Sequence, residues 1–509
     1  MISRRNVLRA GAGLVSAGTV GLSFAPSWAA GTDRAARVPW NRLERRLRGS
    51  LVLPTDPDYP RARHLALLQF DAVSPQAIAY CATENDIREC VLFARHHALP
   101  VTPRSGGHNL AGWSTTTGLV IDLSRIAHVT PGADTVRVGP GAQAVDILAA
   151  LAPHGMQIPA GLCATVCPGG FVTGGGIGMT TRVGGLGADR LVSARVVLAD
   201  GQVVHCSEDR HSELFWALRG GGGGNFGIVS EFEMRPTRIQ RVAGYNLAWP
   251  WDRAADVTRA WQEWTANGPD ALGGTLDLLL TDAAEGVRPL ALVGGFLAGP
   301  RAELETLLDQ LCSLVGSAPT SRETREQSYQ AEMMSLWGCS GTAAECHLEG
   351  DNPVAAVPRH EVIVATGRLL ADPLGATDTE AALAALEGGR HAGQFHNLSM
   401  YALGGAAGRV RPDETAFVHR SARFFTGYSA GFLHADDFQE SHAAAERWVD
   451  DGMLVIDPHR SGPAYINFPD LKLPHWQTSY YGANYPRLRR VKRHYDPDAF
   501  FHRPQSIEL

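Results

Sequence analysis

The chain has 509 residues, 44% hydrophobic and 19% charged, which is the composition of a globular protein long enough for two large domains. Its formal net charge of −6 and the lack of a basic block argue against nucleic acid as a partner. The only lysines are Lys472 and Lys492, so Schiff-base chemistry has almost no candidates.

Residues 1–30 predict a signal peptide of the twin-arginine type. Arg4 and Arg5 precede an apolar segment of roughly fifteen residues, and small residues predict cleavage near Ala29 or Ala30. A buried N-terminal helix is the alternative. Twin-arginine export carries folded proteins, which usually means that a cofactor is loaded first. We therefore expect a secreted protein that is free of the membrane after cleavage, because no other stretch is long and apolar enough to cross a bilayer.

The next part of the chain, to about residue 240, alternates short β-branched runs with helical patterns. "AIAYCAT" and "GLVIDL" predict strands, and "ENDIRECVLFARHHAL" predicts an amphipathic helix with an acidic first turn. "ARVVLADGQVVHC" places Asp200 and Gly201 between two alternating runs, which predicts a hairpin. "HSELFWALRG" predicts a helix that ends at a glycine.

From about residue 241 to 450 the pattern changes to that of a second α+β domain. "GTLDLLL", "PLALVGGFL" and "HEVIVATG" predict strands, whereas "PRAELETLLDQLCSLV" and "DTEAALAALEGG" predict helices. The tail "YYGANYPRLRRVKRHYDPDAFFHRPQSI" is aromatic and basic. We expect it to dock back on the first domain.

Eight cysteines are too few to form a disulfide scaffold in a chain of this length. Cys339 and Cys346 can pair outside the cell, but their spacing alone does not decide whether they do. No CxxC pair or HExxH motif is present, so no metal site is predicted.

Three glycine-rich stretches, at 106–107, 169–178 and 220–227, predict a cradle for a diphosphate. Backbone without side chains presents N–H donors that can line an anion-binding concavity. Residues 222–227 match GxGxxG, but a helical pattern precedes them and a strand pattern follows, which is the reverse of the Rossmann order. None of the three stretches resembles a Walker loop.

Five motifs in chain order carry a resemblance to a known family: "RSGGHNLAGWSTTTGLVIDLS", "GLCATVCPGGFVTGGGIG", "GLGADRLVSARVVLADG", "LFWALRGGGGGNFGIV" and the C-terminal tail. They resemble the FAD-linked oxidases of the vanillyl-alcohol oxidase/p-cresol methylhydroxylase superfamily. Within it they are similar to the berberine-bridge-enzyme-like branch, which includes aclacinomycin oxidoreductase and secreted sugar oxidases. The resemblance covers most of residues 55–240 and 455–509.

The resemblance implies an α+β fold with a p-cresol methylhydroxylase-type FAD-binding domain, built from two α/β subdomains, and an α+β substrate domain with an antiparallel sheet. We assign the FAD-binding domain to residues 31–240 and the substrate-binding domain to residues 241–450. Residues 451–509 form a C-terminal segment that returns to the FAD domain.

The resemblance also implies a bicovalent FAD. It assigns His108 to the flavin 8α-methyl group and Cys163, in a Gly-x-Cys-x-x-Val-Gly pattern, to flavin C6. The sequence departs from that pattern at Cys167, where the family has glycine. Attachment through Cys167, a structural pair of the two cysteines, and the absence of a thioether therefore stay open.

Further cofactor-binding residues follow from the same motifs. They are Arg104, Ser105, Gly106, Gly107, Asn109, Gly112, Pro168, Gly169, Gly170, Thr173, Gly174, Gly175, Gly178, Ile228, Val229, Tyr481 and Asn484.

Oxidation of an alcohol requires a base, because the hydroxyl loses its proton as the hydride leaves for flavin N5. In the family, a Tyr-x-Asn-Tyr motif near the C-terminus often supplies a tyrosine for this role. Tyr465 and Asn467 match the motif, but Phe468 replaces its second tyrosine and cannot accept a proton. The candidate catalytic residues are therefore Tyr465 and Tyr401.

These observations predict a secreted FAD oxidase that acts on a hydroxyl of a sugar, glycoside or secondary metabolite. We expect its partners to be a small-molecule substrate and O2, which is reduced to H2O2. We expect the protein to be a monomer or homodimer. Oxidative cyclisation or desaturation of a natural product is an alternative, as is an FAD-linked dehydrogenase that does not use O2. A flavin-carrying binding protein without turnover is a third class.

Overall fold

A computed structural model describes residues 38–339, 341–359, 362–433 and 435–509. The predicted signal peptide lies outside the described residues. The strands are β1 (Ser50–Val52), β2 (Ala77–Tyr80), β3 (Val101–Arg104), β4 (Leu119–Asp122), β5 (Val129–Pro131), β6 (Val136–Val138), β7 (Leu191–Val197), β8 (Val203–Ser207), β9 (Ile228–Met234), β10 (Arg241–Pro250), β11 (Leu272–Leu280), β12 (Leu290–Leu297), β13 (Ser321–Ser328), β14 (Val362–Leu370), β15 (Phe395–Ala402) and β16 (Phe424–Phe432).

The α-helices follow the same chain order. They are α1 (Trp40–Glu44), α2 (Tyr59–Ala62), α3 (Glu84–His96), α4 (Ala144–Leu151), α5 (Pro168–Phe171), α6 (Thr181–Gly184), α7 (Ser212–Leu218), α8 (Ala254–Asn267), α9 (Arg301–Val315), α10 (Tyr329–Leu336), α11 (Ala376–Glu387), α12 (Phe438–Ile456), α13 (Trp476–Tyr481) and α14 (Tyr485–Tyr495). In the described part of the chain, none of them is both long and apolar enough to span a bilayer.

The N-terminal half contains two sheets. The first has the order β1-β2-β4-β3, with β2, β4 and β3 parallel, and the second has the antiparallel order β5-β6-β9-β7-β8. The hairpin predicted at Asp200 and Gly201 is confirmed: β7 pairs with β8, and Gly201 has a φ of +81°, which favours glycine. Residues 220–227 lie between helix α7 and strand β9, so the glycine run does not open a Rossmann helix.

The third sheet is antiparallel, with the order β13-β10-β12-β11-β15-β16-β14. Alternate residues of each strand face opposite sides, and one side is covered by helices α8, α9, α11 and α12 around a core that includes Trp249, Trp261 and Tyr428. The opposite side carries the polar residues Thr275, Asp277, Asn397 and Ser399 together with apolar residues such as Phe296 and Phe425. This sheet, together with the helix-packed sheets of the N-terminal half, confirms the predicted α+β fold class.

The C-terminal tail packs into the core of the second sheet, where Tyr481 and Leu488 lie beside Phe215. Lys492 anchors it. The fully buried ammonium donates to Asn225 O at 2.6 Å, to Phe501 O at 2.6 Å and to Asp496 Oδ2 at 2.7 Å. Because Asn225 belongs to the third glycine stretch, this one cation joins the tail to the predicted cofactor cradle.

Replacing Lys492 tests the anchor. Lys492→Met leaves a buried carboxylate and two carbonyl groups without their cation, and we expect a loss of about 3–5 kcal/mol of unfolding free energy. Lys472→Met is the matched control, because the Lys472 side chain is 53% exposed and its ion pair with Asp450 contributes at most about 1 kcal/mol. Urea unfolding measures both. Equal stability of the two variants would contradict the role given to Lys492.

Candidate active site

The loop that carries His108 begins at the ends of two parallel strands. Arg104 ends β3 and Asp122 ends β4, and the two residues are partners in the register. Their buried side chains form an ion pair, with Arg104 Nε 2.5 Å from Asp122 Oδ2, and Asp122 Oδ1 also accepts the Ser124 N–H at 2.9 Å. The start of the loop is therefore fixed by charge-assisted hydrogen bonds inside the core.

The first two glycine stretches interlock. A methyl group on Gly106 would lie 2.7 Å from Thr165 O and 3.1 Å from Cys167 Sγ. A methyl group on Gly169 would lie 2.0 Å from Ser105 Oγ. A side chain at Gly106 would meet backbone and force the two loops apart, and one at Gly169 would displace the Ser105 side chain. Close approach therefore requires glycine at Gly106.

A hydrogen bond between the same two loops also holds His108. Its Nε2 lies 2.7 Å from Thr165 Oγ1, and burial lowers the pKa of the imidazole to about 4. The ring is therefore neutral at neutral pH. A neutral imidazole has a lone pair and can act as a nucleophile. Sequence analysis did not identify Thr165, because its pairing with His108 spans 57 residues.

The two candidate cysteines face different surroundings. Cys163 is exposed, whereas Cys167 is buried and its Sγ lies 3.4 Å from Gly141 O. Burial also raises the pKa of the Cys167 thiol well above its usual value. No disulfide joins the two, so the structural-pair alternative is not what the structure shows. The second cysteine of the motif fills the space beneath Gly106.

The second glycine stretch has an open surface at Gly170. Gly170 is exposed, and a methyl group built on it would meet no atom within 4 Å. Beside it, Thr173 Oγ1 donates to Gly169 O at 2.7 Å, and Thr173 O accepts the N–H groups of Gly220 and Gly222 at 3.1 and 2.9 Å. The third glycine stretch is thus joined to the second, which contacts the first, and we refer to the surface that the three share as the cleft.

The residues present fit an FAD molecule. Side-chain-free backbone lines the cleft, as a diphosphate requires, and an exposed thiol and a neutral imidazole come from the two interlocked loops. The other predicted residues in these loops shape the backbone. They are Gly107 and Gly112, which have positive φ; Asn109, whose Oδ1 accepts two backbone N–H groups; Pro168, which opens α5; Gly178, which is packed against Ala160 O; and Ile228 and Val229, which are buried in β9.

Tyr465 and Asn467 clamp the second glycine stretch. The Tyr465 hydroxyl oxygen accepts the N–H groups of Gly176 at 2.9 Å and Ile177 at 3.0 Å, together with Asn467 Nδ2 at 2.9 Å. A methyl group on Gly174 would lie 2.0 Å from Asn467 Oδ1. Tyr465 is 2% exposed, and burial raises the pKa of its phenol. Its oxygen therefore already receives three donors from the protein.

The aromatic side chains at this end of the cleft form a continuous cluster. The Tyr401 ring stacks on Phe425 with centroids 5.1 Å apart, Phe425 contacts Phe468 at 5.1 Å, and Phe468 contacts Tyr465 at 5.4 Å. The structure thus brings both predicted tyrosines into one cluster, together with the phenylalanine that replaces the family's tyrosine. At the edge of this cluster, the Phe417 ring packs against Gly175. Tyr401 is half-buried on β15.

A row of largely buried polar side chains continues from Tyr401 across the face of the third sheet opposite helices α8, α9, α11 and α12. The register pairs Thr275 with Tyr401 and Asp277 with Ser399, so these side chains point to one side. Thr275 Oγ1, Asn397 Nδ2 and Ser399 Oγ donate to the Asp277 carboxylate at 3.1, 2.9 and 3.0 Å. Sequence analysis missed this polar row, because a strand pattern does not reveal which strands are neighbours.

Two predicted residues do not present side chains to the cleft. Tyr481 is fully buried, and its hydroxyl donates to Gly221 O at 3.1 Å. Asn484 Nδ2 donates to Pro412 O at 2.7 Å and to Thr415 O at 3.1 Å. Both support the C-terminal tail against neighbouring loops. Among the described residues, no cluster of three or more His, Cys, Asp or Glu residues has an arrangement that could hold a metal ion.

This fold and this cleft define a flavin-dependent oxidoreductase. Residues 75–207 match the FAD binding domain family, and residues 464–508 match the berberine and berberine-like family. The chain is 31% identical over 471 residues to the FAD-linked oxidoreductase YgaK of Bacillus subtilis (strain 168), covering 91% of this chain and 97% of the relative. The chain therefore belongs to the berberine-bridge-enzyme-like family of FAD-linked oxidoreductases.

Two further proteins extend the comparison. Chitooligosaccharide oxidase of Gibberella zeae is 27% identical over 458 residues, covering 85% of this chain and 87% of the relative. The structure of glucooligosaccharide oxidase from Acremonium strictum, described with a 6-S-cysteinyl, 8α-N1-histidyl FAD, superposes with a TM-score of 0.79. The two chains are 24% identical, and the match covers 90% of this chain and 97% of that one. At that identity, the superposition supports the fold.

Gly106→Ala tests the interlock. The added methyl group clashes with the backbone of Thr165, so we expect a loss of about 1–3 kcal/mol of stability and a lower flavin content. In Gly170→Ala, by contrast, the methyl group enters open space and stability should be unchanged. Thermal unfolding and the flavin-to-protein absorbance ratio measure the two effects. Unchanged stability and flavin content in Gly106→Ala would contradict the close approach.

Proposed function

We propose that this FAD-linked oxidoreductase is a secreted oxidase of a hydroxyl group in a sugar, glycoside or secondary metabolite. In the balanced reaction, a secondary alcohol or hemiacetal and O2 give a carbonyl compound and H2O2. FAD supplies the hydride acceptor, and the protein positions the donor carbon and removes the hydroxyl proton. The observation that carries the proposal is the polar row of the third sheet, which leads from Tyr401 to Asp277 beside the flavin cleft.

Hydroxyl-rich substrates suit that polar row. Asp277, Asn397 and Ser399 provide acceptors and donors for hydroxyl groups, and the Tyr401 and Phe425 rings provide an apolar face for a sugar or an aromatic aglycone. The chitooligosaccharide and xylooligosaccharide oxidases among the relatives support this substrate class.

We place the covalent attachment at His108 and Cys163. Because Thr165 Oγ1 engages His108 Nε2, Nδ1 is the ring nitrogen left for the flavin 8α-carbon. The exposure of Cys163 supports it over the buried Cys167. Each bond replaces one hydrogen on the protein atom and one on the flavin carbon. For each bond, the two electrons and two protons released are taken up by one O2, which becomes H2O2.

We assign the base to Tyr401. The Tyr465 oxygen is occupied by three N–H donors and is buried, so it suits positioning of the glycine stretch better than proton transfer. Tyr401 is half-buried on the substrate side of the sheet and belongs to the same aromatic cluster. Its ring is oriented by stacking on Phe425.

Export is supported by one structural feature. Cys339 and Cys346 form a disulfide, and disulfides persist mainly in oxidising compartments. The twin-arginine pattern of residues 1–30 provides the route. A covalently held cofactor suits a secreted enzyme, because dilution cannot remove it.

Acid precipitation tests the two attachments. The wild-type protein should stay yellow after denaturation, and the His108→Ala/Cys163→Ala double variant should release its flavin. Cys167→Ser is the control and should retain both bonds. Mass spectrometry of the His108 and Cys163 peptides measures each bond separately. Colour lost from the denatured wild-type protein would refute covalent attachment.

Rapid-mixing kinetics separate the two tyrosines. With a substrate identified by peroxide release from a panel of sugars and glycosides, Tyr401→Phe should slow flavin reduction by about 10²-fold or more at unchanged flavin content. Tyr465→Phe keeps the ring but removes the hydroxyl. The glycine stretch then loses its shared acceptor, so this variant should lower flavin content instead. Wild-type reduction rates in Tyr401→Phe would remove it as the base.

A further inference from the structure

The Cys339–Cys346 disulfide closes a short loop directly after helix α10, seven residues from one cysteine to the other. Both cysteines are buried. They pack against the segment of the FAD domain that contains Cys163, as well as against residues of the substrate domain. We refer to residues 337–339 and 341–347 as the disulfide brace.

The apolar contacts of the brace lie on both sides of Cys163. Ala164 is buried in the same cluster as the two disulfide cysteines, and Leu162 packs against that cluster. Cys163 itself is exposed between them. The brace thus fixes both chain neighbours of Cys163 and leaves its thiol facing outward.

Two polar contacts reinforce the apolar ones. Trp337 Nε1 donates to Gly161 O at 3.1 Å, two residues before Cys163. At the other end of the brace, His347 Nε2 lies 3.0 Å from Asp146 Oδ1 on α4. Helix α4 in turn holds the same segment, because the Val145 N–H donates to Ala164 O at 2.9 Å.

We propose that the disulfide brace is a positioning element for Cys163, which sets the thiol in reach of flavin C6 so that the thioether forms after export, once the disulfide has closed in an oxidising compartment. This inference rests on the proposed attachment at Cys163. A bond between two groups forms fast only when they are held near their reacting distance, and an exposed loop residue would otherwise spread over many positions. His108 has an anchor outside the brace, because the Arg104–Asp122 ion pair fixes the start of its loop.

The Cys339→Ser/Cys346→Ser variant tests the brace. We expect the fraction of Cys163 peptide that carries flavin to fall by about five-fold or more, while the fraction at His108 is unchanged and the denatured protein stays yellow. Trp337→Phe, which keeps an aromatic ring but loses the donor to Gly161, should show a smaller decrease. Cys312→Ser, at a half-buried thiol on α9, is the matched control. A wild-type thioether fraction in the double serine variant would overturn the proposal.

Hydrogen exchange on the wild-type protein separates this inference from the proposed attachment and does not depend on a variant that folds. Reduction of the disulfide with a phosphine should speed exchange of the amides at 161–166 by about ten-fold, while those at 104–108 keep their rates. Unchanged exchange at 161–166 would overturn the brace. Absence of flavin on Cys163 in the wild-type protein would refute the thioether instead, and exchange would still decide whether the brace holds the loop.

Discussion

The cleft depends on the contact between Gly106 and the Thr165–Cys167 backbone. At this point two loops from different sheets approach so closely that a β-carbon on Gly106 would clash with the facing backbone. The contact sets the position of His108, leaves Cys163 on the surface and buries Cys167 as a filler. The Arg104–Asp122 ion pair fixes one side of the contact. Helix α4 fixes the other, where the Val145 N–H donates to Ala164 O and the Ala144 N–H donates to Val166 O. The remaining glycines serve the same geometry, since they let further backbone reach the edge of the cleft.

The third sheet follows a different physical logic. One of its faces packs on helices and the other carries the polar row of hydroxyl, amide and carboxylate groups, so the two-residue period of its strands separates the helix-packed core from the polar row. The aromatic cluster connects that face to the glycine stretch. Phe468 belongs to this cluster and packs between Phe425 and Tyr465. A substitution that removes the family's usual base therefore retains the packing, and under the proposed function the proton-accepting role falls to Tyr401 on β15.

Much of this arrangement could be predicted from the sequence, and the failures have identifiable causes. Helix α3, the hairpin at Asp200 and Gly201, and strands β11, β12 and β14 of the third sheet have local signals of periodicity and turn chemistry. The His108 loop has a motif. The partnership of His108 with Thr165, the polar row of Asp277 and the packing around Trp337 have no local signal, because each joins residues far apart in the chain. The two cysteines of the 163–167 segment could be told apart only once their burial was known.

The anchoring of the tail by Lys492 has a consequence for biosynthesis. The third glycine stretch receives its supporting cation from Lys492, which lies 267 residues after Asn225, and Phe501 closes the same site. During translation, residues 220–227 therefore leave the ribosome long before their supporting cation has been made. The cradle takes its final shape only after the tail has folded back onto it.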